Sequence, residues 1–269
     1  MSWLICLGGI LWREMLRFYH QRSRLIGALV RPLVWLLVFA TGFRAALGIA
    51  IAPPYETYIP YSLYVLPGLV GMVQLFNAMQ SSLSMVYDGE MGSMRILLLS
   101  PLPRWYLLTC KLLAGILVSI VQVYAFLLVA WLFDDRAPLL GYLTVLPALL
   151  LNGLMLGALG LVLSSQIKQM ENFAGVMNFV VFPMFFLSTA LYPLWKIQEG
   201  SDLLANLCAL NPFTYGVELI RFALYGQWDG LSVLVVGGVG GLLMMAAVLG
   251  YRPSRGMTRR KGPPGQSSP

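Results

Sequence analysis

Charge is what this 269-residue chain has least of: Asp, Glu, Lys and Arg make up 11% of it, against 58% hydrophobic residues. A soluble domain carries roughly a quarter charged residues, so too few are present here to build a water-facing surface. Histidine is rarer still, with His20 alone, and the three cysteines, Cys6, Cys110 and Cys208, stand far apart in sequence. That inventory leaves a histidine metal centre or a catalytic triad almost nothing to draw on. Scattered thiols in odd number make neither a disulfide framework nor a metal cluster. No catalytic residue and no metal ligand is therefore assigned. A basic segment ahead of the apolar stretch from Trp3 to Trp12 is also missing, which argues against a cleavable signal.

What is present is apolar sequence in long blocks. Residues 57–87, 112–133, 137–167, 172–195 and 230–251 contain no charged side chain at all. Each block is long enough to cross a hydrocarbon layer, which takes about 20 helical residues. A helix satisfies its own backbone groups in lipid, whereas an open strand leaves them unpaired. The expected fold is an all-α integral membrane protein with six transmembrane helices, at about 25–43, 61–86, 105–133, 142–163, 173–191 and 231–249. Residues 1–24 precede this domain of 25–251 as an amphipathic helix. There Trp3, Leu4, Leu7, Leu11, Met15 and Phe18 form one face and Arg13, Arg17 and Arg24 the other, a pattern suited to a membrane surface. Residues 252–269 form a basic, Pro/Gly/Ser-rich tail expected to be disordered.

Six crossings divide the Lys and Arg residues unevenly. Only Arg44, Arg136, Lys196 and Arg221 fall on one side, and the remaining fourteen of the 18 fall on the other. The richer side is cytoplasmic, so both termini are expected in the cytoplasm and the chain in the inner (plasma) membrane. Anionic lipid headgroups account for the net charge of +7, with no need of nucleic acid. Arg31 lies within the first span and is expected to snorkel toward the inner headgroups, with a bend at Pro32.

Four stretches carry candidate function. In the second span Gln74, Asn77, Ser81 and Ser84 make a polar stripe at helical spacing. It either lines a translocation path or forms a hydrogen-bonded seam against a neighbouring helix. In the fifth, Met177, Phe182 and Phe186, beside Asn172 and Asn178, form a soft aromatic surface that suits an amphipathic substrate or simple packing. Between the last two spans, 192–230 holds Pro193, an apolar run too short to cross, Asn211-Pro212, and Glu218 and Arg221 three residues apart. This region is expected to be re-entrant, with Glu218 and Arg221 paired. Gly153, Gly157 and Gly160, and Gly237 with Gly241, are expected at close helix contacts.

The fourth stretch is the loop 87–104. Its middle is a short amphipathic helix with acids at the start, stopped by Ser100-Pro101-Leu102-Pro103. The series Tyr87-Asp88-Gly89-Glu90-Met91-Gly92-Ser93-Met94-Arg95, then Ser100-Pro101-Leu102-Pro103-Arg104, then Lys111-Leu112-Leu113-Ala114-Gly115 resembles the cytoplasmic loop of ABC-2 type permeases. The run from Phe182 to Leu194 is similar to that family's fifth span and outer turn. Asn211-Pro212-Phe213-Thr214-Tyr215 with Glu218 and Arg221 resembles its re-entrant segment. Ser188-Thr189-Ala190 stands where many relatives have Ser-Gly. The chain looks closest to the short permeases of the nodulation-factor and daunorubicin exporter type. The wording of its N-terminal half resembles permeases linked with PQQ-dependent alcohol oxidation.

The resemblance implies a homodimer driven by two ABC ATPase subunits, which bind the ATP and Mg while this chain binds neither. It also implies that Asp88, Glu90, Met91, Met94, Arg95 and Arg104 form the coupling surface, and that Pro193, Asn211, Pro212, Glu218 and Arg221 shape the outer gate. None of Lys111, Lys168, Lys196 or Lys261 is followed by Ser or Thr, as a phosphate-binding loop requires. The alternatives are an ion-coupled secondary transporter, which needs titratable groups at mid-membrane, and a membrane assembly factor with no transport role.

Overall fold

Prolines set several of the helix boundaries. The computed structural model describes residues 2–20, 22–42, 54–55, 59–91, 102–133, 137–167 and 169–250, and among these every regular element is a helix. In chain order they are α1 (Ser2–His20), α2 (Arg22–Gly42), α3 (Tyr61–Glu90), α4 (Arg104–Leu132), α5 (Gly141–Gln166), α6 (Met170–Phe186), α7 (Leu194–Gly200), α8 (Asp202–Leu210), α9 (Pro212–Leu224) and α10 (Gly230–Gly250). Pro60, Pro103 and Pro193 sit extended at the N-caps of α3, α4 and α7. At that position proline's fixed φ and missing N–H cost the helix nothing.

Four of these helices, α3, α4, α5 and α10, are long and apolar enough to cross a membrane, and α8 with α9 would make a fifth crossing. The first and fifth expected spans fall short of that measure. The apolar part of α2 is confined to Leu29–Val38, and α6 ends at Phe186 after seventeen residues. Beyond it, Asn211 Nδ2 donates to the carbonyls of Met184 (2.8 Å) and Leu187 (2.6 Å), which terminates the helix and starts a turn. The tail 252–269, most of the outer connection 44–60 and the middle of the loop 87–104 lie outside the described residues.

α3 is the central element, packed by α2, α4, α5, α6 and α9, while α5 also lies along α10. Glycine permits the two closest approaches to α3. A Cβ on Gly68 would stand 2.2 Å from the Ala190 carbonyl oxygen in the turn after α6, and one on Gly160 of α5 would stand 1.9 Å from Ser82 Oγ. Gly153 and Gly157 likewise meet Ile116 and Leu112 of α4. Gly237 and Gly241 meet nothing among the described residues, because α10 turns Gly240 toward Met155 instead.

The N-terminal helix divides its apolar residues differently from the expected two faces. Ile10, with Cys6, Leu7 and Leu11, packs on Leu107, Cys110 and Ala114 of α4. Leu4, Ile5, Trp12, Leu16 and Tyr19 form a separate exposed stripe, the part suited to lipid. Arg17 points into the protein rather than away from it. The helix ends at His20, so Arg22 to Arg24 belong to α2.

Candidate functional site

Two sites emerge, one at the C-terminal end of α3 and one beside its middle. Ser84 and Asp88 are four residues apart on α3 and so share a face. Arg17 of α1 donates to Ser84 Oγ at 2.8 Å and approaches Asp88 Oδ1 at 3.5 Å. Lys111 of α4 donates to Asp88 Oδ2 at 2.6 Å, and both side chains of that pair are buried. Glu14 stands 3.7 Å from Arg17 and extends the network. One turn-end further on, Glu90 Oε1 accepts the backbone N–H of Met170 at 3.0 Å, at the start of α6. A carboxylate there satisfies an orphan donor and complements the helix dipole. The last turn of α3 is thereby fastened to α1, α4 and α6 together.

Of the residues expected to face a partner, Asp88 is therefore turned inward and Glu90 is engaged at α6. Met91 is exposed at the end of α3. Met94 and Arg95 lie outside the described residues, as does the Arg104 side chain at the start of α4. Sequence reasoning missed the roles of Arg17 and Lys111. The available signal was Lys111 itself, the only charge in α4 after Arg104, since a lysine among apolar helix residues needs a partner.

The polar stripe of α3 closes within the chain. Gln74, 1% exposed, donates to the Leu149 carbonyl at 2.8 Å, and its Oε1 accepts from Asn152 Nδ2 at 2.8 Å. Asn77 donates to the Gly115 carbonyl at 2.8 Å. With Ser81, Lys111 and Ser119 they surround a cavity of about 20 Å³, room for roughly one water. The stripe is a seam joining α3 to α4 and α5.

Beside the middle of α3 the arrangement is different. A larger cavity of about 290 Å³ opens between α2, α3 and α6, lined in part by Arg31, Trp35, Phe76, Asn178, Phe182 and Phe186. Phe182 and Phe186 are stacked at 6.1 Å and remain 53% and 45% exposed. Met177 is half-buried against the core. The Arg31 guanidinium lies 3.8 Å over the Phe76 ring, where a cation–π contact holds it.

At the other end of α3 the Glu218–Arg221 pair forms. Arg221 Nη2 also donates to the Thr189 carbonyl at 2.8 Å, and its guanidinium lies 4.2 Å over Tyr64. Tyr64 and Tyr61 donate to the carbonyls of Thr189 (3.2 Å) and Leu191 (2.7 Å). Asn211 caps α9 by accepting from Phe213 N at 3.0 Å, Pro212 is the first residue of that helix, and α8 meets α9 there at 76°. Pro193 is buried at the start of α7. Outside the helices Tyr55 is buried near Arg221, and burial pushes its phenol up to about 12, so it is a neutral packing group.

Comparison with known proteins bears on the family. A family model described as ABC-2 type transporter matches residues 7–225. The transport permease ycf38 of Porphyra purpurea is 27% identical over 223 residues, covering 81% of this chain and 72% of that protein. The daunorubicin resistance ABC transporter permease DrrB1 of Streptomyces coeruleorubidus is 24% identical over 240 residues, covering 85% and 80%. The multidrug ABC transporter permease YbhR of Escherichia coli is 28% identical over 171 residues, covering 62% of this chain and 45% of its own length.

Proposed function

The chain belongs to the ABC-2 type transporter family, and from that premise we propose that it is the membrane subunit of an ATP-driven exporter working as a homodimer. Two separate ABC ATPase subunits bind ATP and Mg and dock on the loop that follows α3. The chain crosses the inner membrane six times, with α2 and α6 as the two short crossings and both termini in the cytoplasm. The path follows the aromatic cavity beside α2 and α6, since Gln74 and Asn77 are committed within the chain.

The observation that carries this reading is the fastening of the last turn of α3. A loop leaving that turn cannot move without pulling α1 and α4 through Asp88 and α6 through Glu90. Closure of the ATPase pair would thus reach several helices at once through one rigid contact. The named relatives are themselves transport permeases, two of them for drugs by name. An ion-coupled carrier has less support, because Asp88 is engaged by Lys111, Glu218 is paired with Arg221, and the centres of α3, α4, α5, α6 and α10 contain no acid.

Co-expression with the cognate ATPase tests the proposal. The tagged chain is expected to retain the ATPase through purification, in a complex containing two copies of each. Met94→Asp is expected to release the ATPase while leaving insertion intact. Full retention by that variant would remove the docking assignment, and a C-terminal reporter active outside the cytoplasm would overturn the orientation.

A further inference from the structure

Arg31 is the tenth of 21 residues in α2, Phe76 the sixteenth of 30 in α3, and Asn178 the ninth of 17 in α6. Three helices therefore bring a guanidinium, an aromatic face and a carboxamide together at the middle of their lengths, on one cavity of about 290 Å³. Among the described residues no carboxylate stands within ion-pair distance of Arg31. α2, α4, α5 and α10 contain no acid, those of α3 lie in its last turn, and Glu171 is in the first turn of α6. A charge at the middle of apolar helices without a carboxylate partner is expensive and points to a functional site.

We propose that this cavity binds an anionic amphiphile, its acidic head on the Arg31 guanidinium and its apolar portion along Trp35, Phe182 and Phe186. The guanidinium presents a fork of donors that matches a carboxylate or phosphate, and Asn178 adds a neutral donor on the facing helix. The stacked rings of Phe182 and Phe186 are exposed and line the same cavity, open to an apolar chain. The same cation disfavours positively charged compounds, so the selectivity is by sign of charge. As an account of what is exported, this rests on the exporter reading; as a binding site it does not.

The test uses the purified full chain in neutral maltoside micelles, without ATPase, so that it is independent of transport and of ATPase docking. Dodecyl phosphate and dodecyltrimethylammonium are titrated in turn, with the change in tryptophan emission that is lost in Trp35→Phe as the signal. Dodecyl phosphate is expected to saturate it and the ammonium compound to leave it unchanged. Arg31→Gln is expected to weaken the phosphate response by about tenfold or more, the value of one charge-assisted hydrogen bond. Arg31→Lys is expected to keep most of it, and size-exclusion chromatography verifies that both variants fold.

Repeating the titration in phosphatidylcholine nanodiscs with and without phosphatidylglycerol identifies the source of the anion. Loss of the response with phosphatidylglycerol assigns the site to a membrane lipid. An unchanged response assigns it to a transported amphiphile. Equal binding by Arg31→Gln, or equal responses to both head groups, would overturn the proposal.

Discussion

Two arginines among the described residues lie over aromatic rings, and they are opposites in every other respect. Arg221, 2% exposed, has Glu218 as its ion partner and the Thr189 carbonyl as acceptor, with Tyr64 beneath it. Arg31 has Phe76 beneath it, no carboxylate among the described residues within ion-pair distance, and an open cavity in front. A buried ion with its hydrogen bonds satisfied holds structure together, and losing one partner leaves the other uncompensated. A cation with its donors unspent is poised for something that is not part of the fold. The first arginine ties α9 to α3 and to the turn after α6; the second touches α3 through the Phe76 ring alone.

Substitution separates the two most sharply. Arg221→Met is expected to cost about 4 kcal/mol, because Glu218 loses its ion partner and the Thr189 carbonyl keeps only Tyr64 as a donor. Arg31→Met is expected to change stability by no more than about 0.5 kcal/mol, since no partner is stranded. Thermal unfolding of both variants in detergent measures the difference. Similar losses would mean that Arg31 has a structural partner and would remove the contrast.

The end of α3 offers a second instance of the satisfied kind. Lys111→Met is expected to cost about 3 kcal/mol, less than Arg221→Met because Arg17 still stands beside Asp88. Adding Asp88→Asn to Lys111→Met is expected to recover most of that loss, as removal of both charges leaves none buried alone. A double variant no more stable than the single one would show that Asp88 depends chiefly on Arg17. Next in size is Gly68→Val, expected to cost about 2 kcal/mol, because a side chain there meets the Ala190 carbonyl and must push the turn off α3. That turn also supplies the carbonyl held by Arg221. The Gly68→Val/Arg221→Met pair should therefore lose less than the sum of its parts, measured in the same unfolding experiment.

Local physics was legible in the sequence and long-range pairing was not. Apolar runs without charge located α3, α4, α5 and α10, since hydropathy and length are properties of a segment alone. Proline placed the starts of α3, α4 and α7, and Asn211-Pro212 placed the bend between α8 and α9. The period of Gln74, Asn77, Ser81 and Ser84 located a polar face, but a period does not say which helix that face meets. Asp88 pairs with Lys111 23 residues later and with Arg17 71 residues earlier, separations with no signature in any window. The contact of Arg31 with Phe76 was hidden for the same reason, because it is set by where α2 crosses α3. The length of α6 was overestimated because Asn211, far along the chain, ends it.

The polar stripe gives the smallest expected effect and the finest test of the comparison, because it asks whether a satisfied polar group can also serve as a path. Gln74→Leu removes a donor to the Leu149 carbonyl and the acceptor of Asn152. Interhelical hydrogen bonds in membranes average about 0.6 kcal/mol, so the loss is expected near 1 kcal/mol for the two together. Asn152 cannot turn away easily, because its side chain is wedged against Gly216 of α9. Replacing Gln74 and Asn152 together by leucine is therefore expected to cost less than Gln74→Leu alone, as no buried polar group is then left without its partner. Transport by the complex with its ATPase should be unchanged in Gln74→Leu and reduced in Arg31→Gln. The reverse pattern, transport lost at Gln74 with stability intact, would move the path from the cavity beside α2 and α6 into the seam between α3 and α5.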